Sequence, residues 1–191
     1  MRDQDPADPE ANPFHRVTDH WEAVVEDVHA TARKYRAEEW TAVAVHPGDV
    51  TVLTGEPRTA AELTGGFDPG PRRVGFDVVV PGDEFERLRD ALADRTVGDC
   101  RVLGAGGSGV VYRVAVVETT DRDVVALVPL YYDRTDLEDL LAVADEHGLA
   151  THVRPLQDDR VVTIEHADVD PFVPDDDAYP TRRLRRITAP M

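Results

Sequence analysis

The chain has 191 residues, with 38 acidic side chains against 21 basic ones and a formal charge of −17. A chain of this length buries roughly 70% of its unfolded surface, enough for one substantial domain, and its single cysteine, Cys100, excludes intrachain disulfides and cysteine-rich zinc sites. No apolar run approaches the roughly 20 residues of a membrane span, and the opening MRDQDPADPEANP lacks the charged-then-apolar order of a signal peptide, so a cytoplasmic protein with no membrane partner is expected.

Residues 1 to 16 are rich in Asp and Pro, without periodicity, and predict a disordered acidic tail. Trp21, Val24, Val25, Val28, Ala32 and Tyr35 recur at three- and four-residue steps and predict a helix from about Asp19. Strands are expected over 40 to 45 and 50 to 53, joined by His46-Pro47-Gly48-Asp49 as a hairpin. Residues 56 to 73 hold three glycines and three prolines and form the longest expected loop. A strand over 74 to 80 then leads to a helix capped by Asp83, with Phe85, Leu88 and Leu92 as its buried stripe.

Two strands, 99 to 103 and 110 to 117, flank a glycine-rich turn, and a further strand covers 124 to 131. Thr135 and Glu138 predict a capping box for a helix through Leu137, Leu140, Leu141 and Ala144, ended by Gly148 in a left-handed conformation. The last two strands are 149 to 156 and 160 to 166. Residues 167 to 191 carry an Asp-Asp-Asp block, then Arg182, Arg183, Arg185 and Arg186 among prolines, and predict a charged C-terminal tail.

The expected fold is α+β: about eight mainly antiparallel strands in one sheet, three helices packed on one face, and one domain over 17 to 166. The helix-strand-strand-strand order echoes itself in the halves 74 to 118 and 123 to 166. Duplication and chance period-2 patterning account for that echo equally well.

Leu103 to Arg113, LGAGGSGVVYR, resembles the glycine-rich loop of protein kinases, which implies a hairpin over ATP phosphates. A kinase then needs a lysine on the next strand. The sole lysine, Lys34, lies far upstream, and no Asp-Phe-Gly or His-Arg-Asp follows, so a kinase is rejected. The same glycines spell Gly-x-Gly-x-x-Gly, but the β-branched run VVYRVAVV follows where a dinucleotide fold requires a helix. Glycines that satisfy the positive φ angles of a hairpin turn are the simpler reading.

The seven histidines show no metal-ligand spacing, so neither a metal nor a cofactor is expected, although His152 and His166 fall on neighbouring strands and could meet in space. Carboxylates are too abundant for any pair to stand out as a catalytic dyad. Apart from Arg101 and Arg113, the strands lack the basic residues that an RNA-binding sheet places between its aromatics, and nucleic acid is not an expected partner.

The bias toward Asp, the near-absence of lysine and the scarcity of Ile resemble proteins of salt-loving archaea, and the whole chain resembles a haloarchaeal family of unknown function, which implies a habitat and no activity. The element order through the third helix also resembles that of type III secretion chaperones, which bind other polypeptides; no motif accompanies it. Two functional expectations follow. The first is a non-enzymatic cytosolic binding or adaptor protein with a protein partner or a second copy of itself. The alternative is a small-ligand or nucleotide binder, or an enzyme, built on Arg101, Gly104, Gly106, Gly107, Ser108, Gly109 and Arg113, whose backbone amides would cradle an anion.

Overall fold

The computed structural model describes residues 13–55, 73–106, 109–157 and 159–174. The elements follow in chain order as α1 (Pro13–Ala37), β1 (Thr41–Ala44), β2 (Asp49–Thr54), β3 (Val74–Val80), α2 (Gly82–Leu92), β4 (Val97–Gly106), β5 (Val110–Thr119), β6 (Val124–Asp133), α3 (Arg134–His147), β7 (Leu149–Pro155) and β8 (Val162–His166). The fold is α+β, and four of its six strand pairings are antiparallel.

Hairpin-length connections predict one sheet, yet the strands form two sheets of four, ordered β1-β6-β5-β4 and β2-β3-β7-β8. The reason lies at residues 45 to 49. Val45 N–H donates to the Leu127 carbonyl and so extends the first sheet, while Gly48 N–H donates to the Val79 carbonyl and so begins the second. His46-Pro47-Gly48 is therefore a corner between sheets, not a hairpin, and β1 and β2 end up in parallel and antiparallel pairings with different partners. The other two crossings are made by helices: β3 passes through α2 to β4, and β6 through α3 to β7.

Alternation along β5 shows how the first sheet is covered. Val111, Ala115 and Val117 join the main core, whereas Val116 joins a second cluster with Val28 and Ala32 of α1, Ala42 and Ala44 of β1, and Val125 and Leu127 of β6. Alanines at these contacts let the helix backbone approach the sheet closely. On the opposite face the main core combines Val74, Phe76, Val78 and Val80 of β3 with Phe85 and Leu88 of α2, Leu137 and Leu140 of α3, Val153 of β7 and Ile164 of β8.

Two capping expectations are corrected. α2 starts at Gly82 after Pro81, so Asp83 lies in its first turn and pairs with Arg87 one turn on. α3 starts at Arg134 directly out of β6, with Asp133 at its N-cap and no side-chain cap bond; Arg134 N–H donates to the Gly109 carbonyl. Gly148 does end α3 and its N–H returns to the Ala144 carbonyl, but at φ 76° and ψ 171° it has a positive φ without adopting the expected left-handed helical conformation.

The body does not stop at residue 166. A 3-10 turn, Asp170–Phe172, places the Phe172 ring in the main core, 5.3 Å from Phe76. Tyr132 donates its hydroxyl to the Phe172 carbonyl. The expected tails hold most of their length outside the described residues, as do nearly all of the expected loop 56 to 73 and the Arg182 to Arg186 cluster.

Candidate functional site

The glycine hairpin is built for packing as much as for turning. Gly109 has φ 93° and supplies the turn, and Gly106 closes the ladder opposite Val111. Gly104 instead makes room, since a Cβ there would lie 2.2 to 2.7 Å from the Arg113 side chain, which runs across it. Arg113 is buried and donates to the carbonyls of Pro171 (3.2 Å) and Val173 (3.1 Å), so it ties the 3-10 turn to β5. Arg101 faces the other way. It lies opposite Val116 on the α1 side of the sheet and bonds Glu118 and the Tyr35 hydroxyl. The structure therefore does not bring Arg101 and Arg113 together; Gly107 and Ser108 lie outside the described residues.

The second sheet carries polar groups in strands that are otherwise apolar. Its face away from the core presents two rows across three strands: Gly75, Ala150 and Glu165, then Asp77, His152 and Thr163. Gly75 is required in the first row, because at φ 137° an added Cβ would sit 1.7 Å from the Ala150 carbonyl oxygen. Ala150 of this row borders a cleft of about 360 Å³ lined also by Arg73, His147, His152, Thr163, Glu165 and His166.

His152 is the unusual member of this cleft. It is only 7% exposed, its Nδ1 meets the Thr163 hydroxyl at 3.1 Å, and its Nε2 is buried without a partner among the described residues. Asp77 lies beside it in register but makes no hydrogen bond to it; its two oxygens accept from Arg154 at 2.8 to 2.9 Å. If Thr163 donates to Nδ1, then Nε2 carries the proton and is a donor; if Thr163 accepts, Nε2 is a free lone pair. Burial, followed by the nearby Arg73, lowers the His152 pKa and keeps the ring neutral.

His166 faces the core side of the same sheet. Its Nδ1 is 3.3 Å from Cys100 Sγ and its Nε2 is 2.8 Å from Thr151 Oγ1, which joins the edge strands of the two sheets through one imidazole. Nucleophile, base and orienter stand in the order of a thiol-imidazole catalytic pair. The electrostatics oppose it. Burial pushes the Cys100 thiol up to about 11 and His166 down to about 4, so both rest uncharged, whereas a reactive pair needs thiolate beside imidazolium. Among the described residues no group of three or more His, Cys, Asp or Glu is placed to hold a metal ion.

The expectation that His152 and His166 share one locality is met at the cleft, although the two rings lie on opposite faces of β7 and β8. Sequence reasoning missed Arg73, Thr151, Thr163 and the floor at Gly75 and Ala150. One signal was available: Asp77 within VGFDVVV, and His152 and Arg154 within LATHVRP, put ionisable side chains at alternate positions of apolar strands.

Fold and site together define an α+β protein of two mixed sheets with a histidine-bearing cleft on one outer face. The chain belongs to DUF7529, a family of unknown function, whose model matches residues 7–174. No curated protein and no solved structure matches it.

The buried imidazoles set a pH dependence. Because the folded pKa of His166 is depressed to about 4 from its ordinary 6.5, chiefly by burial and then by His152, the unfolded chain binds the proton first. Stability from this group is complete above about pH 6.5 and declines as pH falls toward 4, by about 3 kcal/mol in all. In about 3 M KCl, where carboxylate repulsion is screened, the urea midpoint should drop between pH 7 and pH 5, and His166→Gln should shrink that drop. A midpoint that holds level on acidification contradicts a buried neutral His166.

Proposed function

We propose that the protein is a non-enzymatic binding protein for a small molecule, and that its site is the cleft on the outer face of β3, β7 and β8. One observation carries this reading: His152 is buried beside the cleft with an imidazole nitrogen that nothing among the described residues satisfies. An unsatisfied buried polar group costs about 1 to 3 kcal/mol, and a ligand that meets it recovers that energy. The volume of about 360 Å³ falls at the lower end of small-molecule sites, roughly 300 to 1,000 Å³. The uncharged state of Cys100 and His166 favours binding over catalysis.

This reading keeps the small-ligand expectation and moves it from the glycine hairpin, whose two arginines are committed on opposite faces. The adaptor expectation, with a protein partner or a second copy, would use an exposed strand edge. β4 is such an edge and exposes half of Leu103, but it also carries Asp99, Arg101 and a register irregularity between Val97 and Asp99, features that discourage strand addition. The small-ligand reading is tested by titrating pooled metabolites into ¹⁵N-labelled protein. Shifts should concentrate at Ala150, His152, Thr163 and Glu165. Shifts confined to 104 to 109 would move the site to the hairpin, and none at all would remove ligand binding.

The composition supports a second proposal, that the protein works in the molar-salt cytoplasm of a halophilic archaeon. With a charge of −17 and one lysine, its surface carboxylates stay hydrated and mutually screened at about 1 M salt, where the Debye length is ~3 Å. The melting temperature should climb steadily as KCl rises from about 0.1 M to about 3 M, because the longer ~10 Å screening range at low salt restores repulsion among carboxylates. A melting temperature indifferent to KCl over that range would refute the salt adaptation.

A further inference from the structure

We infer that the cleft selects a small molecule bearing a carboxylate, held by Arg73 and His152, with Glu165 receiving an ammonium or other hydrogen-bond donor at its far end. This rests on the cleft being the ligand site. Arg73 lines it, half-buried, and has no ion-pair partner among the described residues. Other arginines beside the sheets are engaged elsewhere: Arg95, Arg101, Arg154 and Arg160 each hold a carboxylate, and Arg113 holds backbone carbonyls. A guanidinium without an ion pair, next to an imidazole Nε2 that carries the proton when Thr163 donates to Nδ1, is the donor pair that an oxyanion requires.

Charge and spacing narrow the class. Among the described residues Arg73 is the one arginine lining the cleft and Glu165 is the one carboxylate lining it, while Asp77 beside His152 is already neutralised by Arg154, so a phosphate dianion would bring two negative charges against one guanidinium with Glu165 opposing it. A single negative charge fits better. Arg73 precedes β3 and Glu165 is on β8, two strand spacings away, roughly 10 Å between backbones. Both side chains line the cleft, so a ligand between them would carry its anionic and donor ends a few carbons apart. Ala150 lines the cleft with a single methyl group, beside Gly75 in the next strand.

The test compares three probes of one shape by following the His152 ring and the Ala150 and Thr163 amides on titration: butyrate, its uncharged isostere butyramide, and 4-aminobutyrate. Butyrate should shift these signals and butyramide should not, while 4-aminobutyrate should bind more tightly than butyrate. Arg73→Gln should weaken butyrate by about tenfold or more, and Glu165→Gln should abolish the preference for the amino group while leaving butyrate affinity equal or improved. Equal shifts with butyramide, or tighter binding of inorganic phosphate than of butyrate, overturn the carboxylate assignment. If no probe moves these signals while a pooled metabolite does, the ligand class is wrong and the cleft stands; if nothing moves them, both readings fall.

Discussion

The parallel pairing of β3 with β7 is the constraint on which the rest of the molecule depends. Parallel neighbours need a long connection between them, and here α2, β4, β5, β6 and α3 all lie in that connection, so most of the first sheet is enclosed between the two strands in sequence. The register of this pairing sets Gly75 against Ala150 and Asp77 against His152. A backbone at φ 137° with the Ala150 carbonyl where a Cβ would stand is a geometry only glycine tolerates. The cleft floor, the Asp77–Arg154 fork and the stranded imidazole of His152 all follow from that one alignment.

Burial then decides what the polar groups can do. Asp77 is satisfied by a bidentate arginine, Arg113 by two carbonyls of the segment that carries Phe172, and His166 by a thiol and a hydroxyl. Each of these closes a contact between separate elements, and each is consumed by doing so. His152 differs because its natural neighbour, Asp77, is already committed to Arg154. An acceptor or donor left over in this way, inside a small-floored cleft and beside a guanidinium with no ion-pair partner among the described residues, is what separates a binding surface from a structural network.

Local patterns in the chain made the helices and strands legible. Helical spacing found α1 and α2, apolar runs between turn residues found the strands, and Gly148 was legible as a terminator from its place after Ala144. Sheet membership was not legible, because a short Pro-Gly turn serves equally for a hairpin and for a corner, and only the partners of Val45 and Gly48 distinguish them. Gly104 misled for a related reason: its glycine makes room for a buried arginine on the neighbouring strand, which no local motif encodes. The same holds for Phe172, whose burial is set by contacts with Phe76 and Tyr132, far away in the chain.

The β3–β7 alignment is tested most directly by Gly75→Ala, with stability measured by urea unfolding in molar KCl. The added methyl would collide with backbone, which cannot rotate away, at a positive φ that alanine resists. The account predicts a loss of more than about 3 kcal/mol, or failure to fold. A variant within about 0.5 kcal/mol of the parent would contradict the register, and with it the placement of every residue assigned to the cleft.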